Sequence, residues 1–229
     1  VAVAIVCKTP LPGYSKTRLS PPLDPEDCAA LSACFIEDLS RTVNSLCRDG
    51  DVTGYALYTP VGSAPQLRKL LPEIFQVLPQ RDGDFGERLM AGAADLLSEH
   101  DGAILVNSDS PTLPREILRA AVDALANDEI VLGPAHDGGY TLIGLTKLYS
   151  HLFHDIPWST AAVFELTLKR AAEIGVRVAH VPGWYDIDDA DSLKLLEDEI
   201  SGKALPFTAL PGSHAPSTRR FLEARHGRI

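Results

Sequence analysis

The chain has 229 residues, with 31 acids against 21 lysines and arginines and a formal charge of −10 at neutral pH. That length buries a sizeable core, and an apolar fraction of 45% without repeats or low-complexity tracts reads as a globular protein. The acidic balance argues against nucleic acid or a membrane surface as partner, because both need a broad positive face, and the longest apolar stretches fall well short of the roughly 20 residues that span a bilayer.

Residues 1–7 form a continuous valine-rich apolar run, which suits a strand covered on both faces. The loop "KTPLPGYSKTRL" follows; it carries Lys8, Lys16 and Arg18, and no acid precedes Asp24. "DPEDCAALSACFIEDLSRTVNSLC" opens with acids and proline and keeps a helical period, which predicts a helix over about residues 25–46. "VTGYALYTP" reads as a second strand stopped by proline and "APQLRKLLP" as a short helix. "FGERLMAGAADLLSEH" is a helix introduced by the turn signal in "RDGD". "GAILVN" is a buried strand, "SDSPTLP" a loop and "REILRAAVDALAN" a helix. "EIVLGPA" and "YTLIGL" flank the tight "HDGG" turn, so these two strands should be antiparallel. "TAAVFELTLKRAAEIG" is a helix ending on glycine, "VRVAHVP" a strand, and "DIDDADSLKLLEDEI" an amphipathic helix with an acidic start. From Ser201 onward there are three prolines, no apolar strand and a short basic helix in "STRRFLEARHGR". Residues 1–200 are expected as one catalytic domain and residues 201–229 as a surface appendage, whose mixed apolar and basic residues permit a homodimer.

The cysteines, Cys7, Cys28, Cys34 and Cys47, lack C-x-x-C spacing and fall in expected strand or helix interiors. They read as small buried hydrophobes in a reducing compartment rather than disulfide or metal positions. The sequence does not begin with Met and shows no basic-then-apolar leader, so a cytoplasmic setting is the expectation.

Strands separated by helices specify a mixed, mostly parallel sheet with helices on both faces. Such sheets bind ligands beyond the carboxyl ends of their strands, so the loops just after the strands hold the candidate site. In the first loop, Gly13 after Pro12 lets the backbone turn back, and Lys8, Lys16 and Arg18 can converge on an anion. A guanidinium grips phosphate oxygens through several donors, and lysine acts as a mobile point charge. Neither G-x-x-x-x-G-K-[ST] nor G-x-G-x-x-G is present, so the loop is no P-loop and no dinucleotide fingerprint. The alternative is a solvated loop that happens to be basic.

Asp109, with Ser108 at the tip of the central strand, suits either a Mg²⁺ ligand or a cap for the next turn. In "WYDIDDADSL", capping accounts for some of Asp186, Asp188, Asp189 and Asp191, but acids so close repel one another unless a cation offsets them. That makes the run a candidate source of a metal ligand. Asp137, Gly138 and Gly139 are first a turn signature; the glycines also let backbone amides approach a ligand, and Asp137 is a candidate base toward an acceptor. Gly83 and Arg88, in "RDGDFGERL", either contact a base or phosphate or merely open a helix. Trp158 is a stacking platform or an apolar plug.

"KTPLPGYSKTRL", "GDFGERL", "NSDSPTLP", "VLGPAHDGGYTLIGL", "IPWST" and "YDIDDADSL" occur in that order. Together they resemble the nucleotide-diphospho-sugar transferase superfamily, with its glycosyltransferase-A-like fold. They are similar in particular to a bacterial family described as glycosyltransferases and related to 2-phospholactate guanylyltransferase. The resemblance implies a three-layer α/β/α sandwich around a mixed, mostly parallel sheet. It implies that Asp109 is the metal-binding aspartate after the central strand. Asp188 would supply a second carboxylate, as in the "VDTPEDL" pattern of cytidylyltransferases, and Lys8, Lys16 and Arg18 would hold a nucleotide polyphosphate. Pro12, Gly13, Gly83, Arg88, Ser108, Asp137, Gly138, Gly139 and Trp158 complete the expected substrate-binding set. The first loop departs from the usual glycine-rich pattern in having two prolines and one glycine.

The expected activity is that of a transferase dependent on Mg²⁺ (or Mn²⁺), with a nucleoside triphosphate or nucleotide sugar as donor and a small acceptor. Catalysis would rest on positioning and charge stabilisation. Nucleotidyl transfer to a phosphorylated acceptor, with pyrophosphate leaving into the basic loop, is the first expectation. Glycosyl transfer from a nucleotide-diphospho-sugar is the second, and non-catalytic nucleotide binding the third.

Overall fold

A computed structural model describes residues 1–227 of the chain. β1 (Ala2–Lys8), β2 (Thr53–Thr59) and β3 (Gln76–Pro79) run parallel, and β4 (Ala103–Asn107) runs parallel to β1 on its other side. β6 (Tyr140–Leu145) lies antiparallel between β4 and β5 (Ile130–Pro134), and β7 (Val178–His180) follows parallel to β5. Over the described residues the sheet therefore has the order β3-β2-β1-β4-β6-β5-β7. The "HDGG" hairpin is antiparallel as expected, and it makes the sheet mixed.

Side chains of period two divide the core between the two faces. Val3, Ile5 and Cys7 of β1 pack with α1 (Pro25–Cys47), α4 (Arg115–Ala124) and α6 (Ala190–Ile200). Ala2 and Ala4 face the opposite layer, where α3 (Phe85–Leu97) and α5 (Val163–Glu173) contribute Leu89, Ala93, Leu96 and Ala171. The result is the expected three-layer α/β/α sandwich. Helix starts follow local chemistry. Asp24 accepts from the Asp27 amide ahead of Pro25, and Asp84 and Glu87 form a reciprocal capping box.

Two features escape the sequence reading. β3 is a short edge strand whose residues are half-buried or exposed, so it lacks a clear apolar alternation. The segment "APQLRKLLP" forms only the single turn α2 (Ala64–Leu67), continued by a 3-10 turn over Arg68–Leu70.

The tail after Ser201 ends in α7 (Pro216–His226), which lies along α1. No side chain at its own start caps α7; instead fully buried Asp38 of α1 accepts from the amides of Ser217 (3.0 Å) and Thr218 (2.7 Å). Arg41 donates to the same carboxylate. A helix leaves its first amides without partners, and a carboxylate borrowed from a neighbouring helix satisfies them. Cys7 and Cys28 are buried, Cys34 and Cys47 half-buried, and all four are free thiols. No helix among the described residues is long and apolar enough to cross a membrane.

Candidate active site

The carboxyl ends of β1 and β4 open onto one crevice, at the point where chain connections diverge to opposite sides of the sheet. Beyond β1, the Leu11 carbonyl accepts from the Tyr14 and Ser15 amides, and the buried Ser15 hydroxyl accepts from the Leu11 amide. This knot throws Lys16 into a left-handed conformation, φ 50° and ψ 37°. A lysine pays about 1–2 kcal/mol for that geometry, so its side-chain contacts must hold it there. The Lys16 ammonium lies 2.9 Å from Asp109 Oδ1 and 3.1 Å from Asp188 Oδ1, and it donates to the Ile187 carbonyl. Its side chain is only 7% exposed. Burial alone would lower the Lys16 pKa, but the Asp109 and Asp188 carboxylates together push it upward.

Asp109 and Asp188 meet because two loops are stitched together. The Ile187 amide donates to the Asp109 carbonyl (2.9 Å), and the Ser110 hydroxyl donates to the Tyr185 carbonyl (2.9 Å). The acidic run then divides its work. Asp189 caps α6 through a reciprocal box with Ser192, while Asp186 and Asp188 turn toward the crevice. Burial, followed by the charges of Asp137, Asp188 and Asp109, pushes the Asp186 carboxyl up to about 7.

Two adjoining cavities occupy the crevice. The outer one, of about 550 Å³, is lined by Lys8, Lys16, Arg18, Arg88, Ser108 and Trp158, among others. Lys8 is exposed at the end of β1, and Arg18, two-thirds exposed, stands 4.0 Å from Asp188 Oδ2. Ser108 donates to Asp109 Oδ1 (3.1 Å). The inner cavity, of about 210 Å³, runs beneath Trp158 toward Asp137, Gly139 and Tyr140. Asp109 and Asp188 line both. Trp158 stands between them, edge-on to Phe85 and Tyr140, and it fits there because Gly86 has no side chain: a Cβ at Gly86 would lie 2.8 Å from the indole nitrogen.

Four expected substrate-binding residues sit outside both walls. Pro12 and Gly13 are exposed in the first loop, where Gly13 supplies the turn at φ 76°. Gly83 precedes the cap of α3, and its carbonyl accepts from Arg88 (3.2 Å). Gly138 is a packing residue: at φ 92°, its absent Cβ would meet the Ala161 carbonyl at 2.3 Å. The remaining expected residues all reach one cavity or the other.

Asn107, Gln80 and Tyr140 are among the wall members that the sequence reading missed. Asn107, at the tip of β4, accepts from Ser110 and from the Asp109 amide and lines both cavities. Gln80, buried beyond β3, donates to the Leu57 carbonyl and lines the outer cavity. Tyr140 lines the inner one; its hydroxyl is buried with no hydrogen-bond partner among the described residues, and burial raises its pKa. Tyr140 directly follows the "HDGG" turn, the only local signal that pointed near it.

Among the described residues no group of three or more His, Cys, Asp or Glu side chains is arranged to hold a metal unaided. Mg²⁺ does not require one, since it takes one or two protein carboxylates and completes its shell with phosphate and water. Asp109 and Asp188 are hard oxygen donors that already share one cationic partner, and Asp186 lies beside them under an excess of negative charge. This donor set fits a divalent cation.

The fold and crevice place the chain among nucleotide-diphospho-sugar transferase-like proteins. Along 99% of its length, and 95% of the other chain, it matches a protein provisionally described as a nucleotide-diphospho-sugar transferase from Desulfovibrio desulfuricans G20, with a TM-score of 0.83 and 25% identity. It shares its fold with CMP:2-keto-3-deoxy-manno-octonic acid synthetase complexed with CTP (TM-score 0.57, 10% identity, 87% of this chain and 98% of that one). A cytidylyltransferase from Leptospira borgpetersenii serovar Hardjo-bovis (strain JB197) also has this fold (TM-score 0.56, 15% identity, 99% and 94%). The chain belongs to the family described as an uncharacterized protein conserved in bacteria (DUF2064), whose model matches residues 42–160. That match takes in Asp109 and Asp137 but neither the basic first loop nor Asp188. No curated protein matched the sequence.

Proposed function

We propose that this chain is a Mg²⁺-dependent transferase that binds a nucleotide donor in the outer cavity and carries out nucleotidyl transfer to a small acceptor. The observation that carries the reading is the convergence of Lys16 with Asp109 and Asp188 on the floor of a cavity otherwise rimmed by Lys8, Arg18 and Arg88. Cations around a polyphosphate, with two carboxylates beside them, are what phosphorus chemistry needs.

Asp109 and Asp188 would hold the metal, whose charge would offset that of the donor phosphates. Lys8, Arg18 and Arg88 orient and neutralise the remaining phosphate oxygens. An acceptor oxygen forms a bond to the α-phosphorus as the bond from that phosphorus to the bridging oxygen breaks. Pyrophosphate leaves with the electron pair, into the basic rim. Where the acceptor is a hydroxyl, its proton passes to Asp137, whose Oδ1 is already held by the Gly139 amide (2.8 Å).

A thermal-shift screen of GTP, CTP, UTP, ATP and common sugar nucleotides, with and without Mg²⁺, tests this. A triphosphate hit followed by pyrophosphate release supports nucleotidyl transfer, and Asp109→Asn should abolish the Mg²⁺-dependent part of the shift. No shift with any nucleotide, or an unchanged shift in Asp109→Asn, would sink the reading. Glycosyl transfer is the second reading, favoured by the position of Asp137 in the inner wall and by the full-length likeness to a described nucleotide-diphospho-sugar transferase. It predicts release of a nucleoside diphosphate from a sugar nucleotide instead.

A further inference from the structure

The two adjoining cavities carry opposite charge. Lys8, Lys16, Arg18 and Arg88 line the outer one, against two acids, Asp109 and Asp188, that line both. The inner wall carries Asp109, Asp137, Asp186 and Asp188 and, among the described residues, no lysine, arginine or histidine. Lys16 offsets Asp109 and Asp188, but no cation lies within ion-pair distance of Asp137 or Asp186 among the described residues. The rest of the inner wall is largely apolar, with Leu89, Leu105, Ile143 and Val163.

We propose that the inner cavity is the acceptor subsite and that it takes a small, non-anionic molecule, neutral or amine-bearing. Its body rests on the apolar wall beside Trp158. The assignment as acceptor subsite rests on the reading of the outer cavity as the donor site. Bringing a phosphate or carboxylate beside Asp137 and Asp186, which no cation among the described residues offsets, would set like charges together in a partly desolvated space, which disfavours it. The acceptor nucleophile is then a hydroxyl or amine rather than the phosphate expected from sequence. A volume of about 210 Å³ also lies below the roughly 300–1,000 Å³ of sites for drug-sized ligands, so the acceptor is small. In the reaction the acceptor hydroxyl oxygen bonds to the α-phosphorus, its proton goes to Asp137, and pyrophosphate departs on the opposite, basic side.

The test needs no nucleotide. The full chain, labelled at isoleucine, leucine and valine methyls, is screened by NMR against a set of small hydroxylated fragments balanced between anionic, neutral and cationic members. Fragments that move the Leu89, Leu105, Ile143 and Val163 methyls should be neutral or cationic at least fivefold more often than anionic. Asp137→Asn should raise the share of anionic hits. Equal or greater binding of anionic fragments, or no fragment moving these methyls, overturns the proposal. Failure of the nucleotide screen, by contrast, overturns the donor-site reading and leaves the selectivity of the inner cavity intact.

Discussion

Replacing Lys16 by Met keeps the apolar stem and removes the ammonium that Asp109 and Asp188 share. Removing one partner of a fully buried ion pair costs about 3–5 kcal/mol, because the other charge is left uncompensated. Here the acids are 32% and 44% exposed, so water takes up part of that role and a loss of about 1–2 kcal/mol is expected. In a chain of this size each kcal/mol shifts Tm by about 2–4 °C, so Tm should fall by about 2–8 °C. The left-handed backbone at Lys16 loses the contacts that hold it, which adds to the loss in the same direction. Because the two carboxylates then face each other without a cation, Mn²⁺ or Mg²⁺ should recover more stability in Lys16→Met than it adds to the wild type. The assay is a thermal melt with and without the metal, repeated for Asp109→Asn and for the double variant. A coupling between Lys16 and Asp109 below about 0.5 kcal/mol in that cycle would refute the argument that the ammonium is bound by the acids rather than merely near them.

Gly138→Ala should destabilise by about 1–3 kcal/mol, since it combines a positive φ with a Cβ 2.3 Å from the Ala161 carbonyl; a melt matching wild type would refute this. Asp38→Ala should cost about 3 kcal/mol, because it strips the carboxylate from the Ser217 and Thr218 amides, and hydrogen exchange should rise in α7 while the sheet stays protected. Burial, then the charges of Glu37 and Asp38, pushes the Cys34 thiol from the ordinary 9.0 up to about 12. Native protein should therefore resist iodoacetamide at Cys34 at pH 8, and unfolded protein should not, as read by mass spectrometry. Since the folded pKa is the higher one, the neutral thiol's contribution to stability is present below pH 9 and is lost as pH rises toward 12.

Most of the architecture is legible from the chain alone because its causes are local. A valine-rich run covered on both faces, an Asp-Pro start, a capping box at Asp84 and a "DGG" turn each depend on neighbours within a few positions. They are found in β1, α1, α3 and the β5–β6 hairpin. The basic loop and the acids after the strands were visible for the same reason: residue type and distance from a strand end are properties of sequence. β3 was not visible, since a half-exposed edge strand carries no apolar alternation to read.

What only the tertiary structure decided is which partner each charge meets. Lys16 spends its ammonium on Asp109 and on Asp188, 172 residues further along the chain, rather than standing free for phosphate. The acids of "DIDDAD" divide between capping α6 and lining the crevice, although their composition is uniform. Tyr140 ends with a buried hydroxyl that none of the described residues satisfies. Backbone hydrogen bonds and side-chain periodicity act between near neighbours and leave a trace in the order of residues. Ion pairing and burial act through space, so they are set only when the sheet brings the ends of β1 and β4 and the approach to α6 to a single crevice.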